Sequence, residues 1–210
     1  TPAGFQVIDF SEPEKAKIIY SWFIENAELH RGDGLDGKYF KLNDRYYYAQ
    51  SMMFRQAGPD RDLGAVVFDV TGLPDPSTVR EVGRILVPDT PGGFHNLFAY
   101  KHSTGRVLLF ATTESPESVP HGANVYDMEL FLQGDPDYGL VSRIPLPEPR
   151  GAARGYHDAY VAYDVATGQD KFYGGGPETT YLGGNYVYDV TDIANPELLV
   201  TQLAVHGQHS

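Results

Sequence analysis

The sequence predicts an all-β fold, and three observations carry that expectation. Composition is the first: 15 Tyr, 23 Gly and 15 Pro in 210 residues, 41% hydrophobic and 21% charged, suit strands and turns in a globular chain. Hairpin-like stretches are the second. "FHNLFAYKHSTGRVLLFATT" and "YHDAYVAYDVATGQDKFYGGG" each place a β-rich run either side of a short Gly-containing turn. The third is a repeat. Four segments end a β-rich run on an aspartate, follow it with a proline-bearing turn, and leave on a second β-rich run.

The repeated aspartates are Asp9, Asp69, Asp127 and Asp189, separated by 60, 58 and 62 positions; the prolines are Pro13, Pro76, Pro136 and Pro196, separated by 63, 60 and 60. Between these hairpins lie the others, so each unit holds about four strands. Four-stranded units at a constant period are the signature of a β-propeller. The expected layout is an outer half-blade at 1–29, blades at 30–89, 90–149 and 150–205, and the start of another at 206–210. The chain is thus expected to form an arc of about three and a half blades and an incomplete ring. A β-sandwich is the alternative, but it gives no reason for strands to recur in fours.

Within a blade the chain is expected to meander outward. The inner hairpins begin with "GKYFKLNDRYYYAQSM", which turns at Asn43-Asp44, and continue with those that open at His95 and His157. The aspartate-proline hairpins are the outer ones. At a strand end each aspartate can accept hydrogen bonds from N–H groups one or two residues on, a structural role for Asp9, Asp69, Asp127 and Asp189. An arc leaves two blade faces open, to be covered by a protein partner or by the remainder of the propeller.

"VVFDVTGLPDPSTVREVG" and "YVYDVTDIANPELLVTQL" resemble the LVIVD repeat of bacterial extracytoplasmic propellers. The resemblance covers nearly the whole chain and is weakest at "YDMELFLQGDPDYG", where the turn is longer. It implies a propeller fold and an extracytoplasmic, periplasmic or secreted location. Members of that family mostly lack an assigned activity, so the resemblance implies little about function.

Composition excludes several classes of function. With 28 acidic and 16 basic residues the net charge is −12, which opposes binding to nucleic acid or an anionic membrane surface. Without cysteine there is no disulfide, zinc-thiolate site or thiol chemistry. No apolar run reaches the length of a membrane span. "RGDG" reads as a Gly-rich turn, "GGGPETTYLGG" lacks the lysine and helix of a phosphate loop, and no Ser-His-Asp arrangement or nucleophile elbow is present.

The histidines carry the candidate site. Innermost strands of a propeller start around the mouth of its central channel. His95 and His157 each stand three residues before an aromatic, Phe98 and Tyr160; the same offset from Tyr39 gives Asp36, and the tail offers His209, with His206 nearby. Asp36, His95, His157 and His209 would ring one opening, and imidazole with carboxylate suits zinc, copper or iron. Asn96 and Asp158 would orient the rings or cap the strand starts. His30 is a substitute for Asp36 in that ring. The plainer reading has these histidines bonding the backbone where blades meet. Three functions stay open: an extracytoplasmic binding or scaffolding module, a metal-dependent oxidoreductase or hydrolase, and an extrinsic subunit of a membrane complex.

Overall fold

The computed structural model describes residues 3–30, 32–54, 60–89, 92–113, 122–147, 155–176 and 184–203. They form fourteen strands in four antiparallel sheets that follow one another along the chain. Sheet 1 pairs β1 (Gly4–Asp9) with β2 (Lys17–Phe23). Sheet 2 runs β3 (Gly37–Leu42), β4 (Arg45–Ser51), β5 (Leu63–Asp69) and β6 (Arg80–Leu86). Sheet 3 runs β7 (Leu97–Lys101), β8 (Val107–Thr113), β9 (Gly122–Asp127) and β10 (Leu140–Pro145). Sheet 4 runs β11 (Asp158–Asp164), β12 (Gln169–Gly175), β13 (Gly184–Asp189) and β14 (Glu197–Leu203). Every sheet is a simple meander, and the described residues close no ring.

Local chemistry fixes the hairpins. Asn43 and Asp44 both take positive φ, 50° and 59°, the paired left-handed turn that matches strand twist. Gly105 and Gly168, at +87° and +70°, do the same work after β7 and β11. At the other turns the aspartate that ends the strand accepts a backbone bond two residues on. Asp9 takes Ser11 N–H at 3.0 Å, Asp69 takes Thr71 N–H at 2.9 Å, Asp127 takes Glu129 N–H at 2.8 Å and Asp189 takes Thr191 N–H at 2.8 Å. Arg45, Arg106 and Gln169, each near the start of its sheet's second strand, bond the second oxygen of Asp69, Asp127 and Asp189. Pro13 and Pro76 open short 3₁₀ turns. The long turn of sheet 3 holds helix α1 (Met128–Leu132), capped by Asp127, and Pro136 follows it.

Two further repeats accompany the aspartates. Each Asp-ending strand carries a glycine five residues earlier: Gly4, Gly64, Gly122 and Gly184. A Cβ at Gly64 would enter the Phe94 ring, and at Gly4 or Gly122 it would strike a carbonyl of the neighbouring strand. A β-bulge also recurs in the outermost strand of all four sheets, with Ile19, Val82, Val141 and Leu199 as the extra residues. Bulges add twist and bend a strand, so the four outer edges turn alike.

Three hydrophobic cores lie between the four sheets. Phe5 and Trp22 of sheet 1 pack on Phe68 of sheet 2 at 4.9 and 5.1 Å between ring centres. Val67 and Ile85 of sheet 2 meet Leu109 and Tyr126 of sheet 3. Phe110 and Val125 of sheet 3 meet Phe172 and Tyr188 of sheet 4. Sheets 2 and 3 are therefore covered on both faces, and β5, β8 and β9 are buried along their whole length. This burial explains why "LGAVVFD" and "VLLFATT" lack the alternation of a half-exposed strand. A two-layer sandwich has one core, not three in series.

Two expected outcomes test the turns. Asp189→Ala should lower unfolding free energy by about 0.5–2 kcal/mol, the range for losing a side-chain acceptor on backbone donors, as read by urea denaturation. Asp164 is held down to about 2 by the Lys171 ammonium, Thr167 and the Ala166 N–H. A carboxylate with a lowered folded pKa stabilises above its unfolded pKa and loses that contribution as pH falls. The Tm gap between wild type and Asp164→Asn should therefore be full above pH ~4 and close towards pH 2.

Candidate functional site at the converging strand starts

The first strands of the three complete sheets lie side by side, β3 against β7 and β7 against β11. Their starting residues come together. The His95 and His157 ring centres are 4.4 Å apart, with planes inclined at 48°. Asn96 Nδ2 donates to Asp158 Oδ1 at 3.1 Å, and the Leu97 N–H donates to Asp36 Oδ2 at 2.8 Å. Two residues beyond Asn96 and Asp158, the Phe98 and Tyr160 rings meet edge to face at 5.0 Å. His95, Asn96, His157 and Asp158 are all half-buried.

Backbone bonds hold each of these residues in register. The His95 N–H donates to Thr112 O at 2.9 Å, and the Asn96 N–H to Thr112 Oγ1 at 3.0 Å. Asp36 repeats the Asn96 arrangement: its N–H donates to Ser51 Oγ and its carbonyl accepts from the Ser51 N–H, both at 2.8 Å. The His157 N–H donates to Gly175 O at 2.9 Å, and Asp158 stands opposite Gly175. Asp36, Asn96 and Asp158 thus occupy one level, while His95 and His157 occupy the level before it.

This register revises the ring expected from the aromatic offsets. The residue level with the histidines in sheet 2 is Leu35, not Asp36. The Asp36 carboxylate is committed: it accepts from the Gly37 N–H at 2.8 Å and the Leu97 N–H, and it pairs with the Lys38 ammonium at 2.6 Å. Asp36 therefore ties sheet 2 to sheet 3, as Asn96 and Asp158 tie sheet 3 to sheet 4. Gly37 is required beside it, because a Cβ there would fall 2.0 Å from the Tyr48 hydroxyl. Burial and the Asp36 charge push that hydroxyl up to about 12. His30 packs its ring on Phe54 at 4.2 Å, with Nε2 3.1 Å from Asp60. His206 and His209 lie outside the described residues. Among the described residues no three His, Asp or Glu side chains converge in the manner of a metal site, and no helix is long and apolar enough to cross a membrane.

One polar cluster escaped sequence reasoning. Asp170, at the second position of β12, is fully buried and accepts from the Tyr100 hydroxyl, the Ser103 hydroxyl and the Ser103 N–H. His102 Nε2 lies 3.2 Å from the same carboxylate and 3.0 Å from Val190 O. The Thr104 N–H approaches His102 Nδ1 at 3.2 Å, which makes Nδ1 the acceptor and places the proton on Nε2. The Ser103 hydroxyl points to the carboxylate, not to the imidazole, so the three form a clamp between sheets 3 and 4. The sequence hint was slight: a histidine beside a Ser-Thr-Gly turn, and an aspartate between Gln169 and Lys171 at the start of a strand.

No protein-family model matches this chain, and no curated protein matches it significantly.

Asp170→Ala should lose about 1–3 kcal/mol, since it strands the buried Tyr100 and Ser103 donors that the carboxylate accepts from. Equilibrium urea unfolding would read the loss, and a change below about 1 kcal/mol would contradict the clamp.

Proposed function

We propose that the chain is an arc of a β-propeller serving as a rigid binding module, whose ligand or partner engages the axial mouth at His95, Asn96, His157 and Asp158. The observation that carries this reading is the contact of two imidazoles from successive sheets, 4.4 Å between ring centres, at the point where the inner strands converge. Three antiparallel meanders with adjoining first strands and cores in series support the arc. The LVIVD-like segments support the same fold and an extracytoplasmic location. The net charge of −12 directs the module towards protein or small-molecule partners and away from nucleic acid.

A second reading has the same imidazole pair binding a transition metal, copper, iron or zinc, for oxidation or hydrolysis. His95 and His157 would supply two nitrogen ligands from neighbouring strands. Elemental analysis of chain purified without chelator, followed by zinc and copper titration of the purified chain, separates the readings. Stoichiometric metal that His95→Ala and His157→Ala both lose, with unchanged circular dichroism, would establish the metal reading. Metal-free chain with no measurable affinity for either ion leaves the binding module. Equal partner capture by wild type and the double alanine variant would then remove the mouth as its site.

A further inference from the structure

Thr112, near the end of β8, bonds both residues that lead into the first strand of sheet 3. Its carbonyl accepts from the His95 N–H at 2.9 Å, and its hydroxyl accepts from the Asn96 N–H at 3.0 Å. Its own N–H donates to the Asn96 carbonyl at 2.9 Å. Asn96 in turn donates its carboxamide N–H to Asp158 at 3.1 Å, and Asp158 is the chain neighbour of His157. One residue thus stands behind both imidazoles, behind His95 directly and behind His157 through Asn96 and Asp158. Thr112 is itself fully buried, so a ligand at the mouth does not touch it.

Sheet 2 carries the same relay. The Ser51 hydroxyl, at the end of β4, accepts from the Asp36 N–H at 2.8 Å. The Asp36 carboxylate then accepts from the Leu97 N–H of sheet 3, also at 2.8 Å. In both sheets a hydroxyl at the end of the second strand fixes the residue that reaches across to the next sheet. In sheet 4 the residue opposite Asp158 is Gly175, which has no hydroxyl. Of the two relays, the one from Thr112 ends beside the histidine pair.

We infer that Thr112 is a positioning residue for the mouth: its hydroxyl holds Asn96 against Asp158, and through that bond it keeps the His95 and His157 rings in contact. Asn96 is half-buried at a strand start. Deprived of its acceptor, its N–H turns towards water and the carboxamide of the same residue swings with it. Loss of one such hydrogen bond raises the population of the opened strand start about tenfold. The inference rests on the mouth as the binding site, because a pre-organised pair matters to a ligand that meets it there.

Nuclear magnetic resonance of the 210-residue chain tests it without any ligand. Thr112→Val keeps the shape of the buried side chain and removes the acceptor. It should weaken cross-relaxation between the His95 and His157 rings. It should also speed exchange of the His95 N–H about tenfold relative to mid-strand amides of β7 and β8. Thr112→Ser, which copies Ser51, should restore both. Ser51→Ala breaks the other relay and should leave the ring contact as in wild type. An unchanged ring contact in Thr112→Val would overturn the inference. So would exchange that quickens uniformly across sheet 3, failure of Thr112→Ser to restore the contact, or an equal loss in Ser51→Ala. Thr112→Ala repeats the arm should Thr112→Val fail to fold. Because no ligand enters, failure here removes the role of Thr112 alone, and the mouth stands or falls by the partner capture above.

Discussion

Burial of a sheet on both faces is the constraint from which the rest of this structure follows. Phe68 and Val67 are adjacent in β5, and alternation sends one towards sheet 1 and the other towards sheet 3. The same holds for Val125 and Tyr126 in β9, which serve the cores on either side of sheet 3. Each such side chain removed from water contributes about 1.5–3 kcal/mol, and neither face can be satisfied without a neighbour. Stacking in series is the consequence, and it brings the first strands β3, β7 and β11 into contact.

Stacking of this kind needs each sheet to twist alike, and small polar devices enforce that. The aspartate that ends the strand next to the outermost one fixes the turn by accepting an N–H two residues on, while the bulge beside it bends the outer strand at one repeated place. The glycine at the head of the strand lets the neighbouring backbone or ring come close. Between sheets 3 and 4 the Asp170 clamp adds a buried, well-satisfied polar junction. Buried polar clusters of this kind fix how two elements sit as well as how strongly they adhere.

The convergence of strand starts has a chemical result. His95 and His157 are separated by 62 positions, yet their rings touch because each heads the first strand of a sheet. The level just inside them belongs to inter-sheet bonds, with Asp36 bound to the Leu97 N–H and Asn96 bound to Asp158. Structural polar groups thus lie directly under the pair of imidazoles. Rigid support of that sort pre-organises a site for whatever meets it.

Much of the architecture was legible in the sequence because it is periodic and local. The Asp and Pro spacings mark the outer hairpins, Asn43-Asp44 marks a turn, and the residues that open β7 and β11 mark where two histidines would meet. These follow from strand alternation and turn chemistry, which act within a few residues. What needed the tertiary structure was register between sheets. Counting from aromatics set Asp36 level with the histidines; hydrogen bonds to Ser51 and Thr112 set it one residue further in, level with Asn96. A one-residue difference leaves no mark on composition or period, yet it turns a side chain to the other face of a sheet. The Asp170–His102 pair was hidden for a related reason: its members are 68 positions apart and join only when two sheets pack.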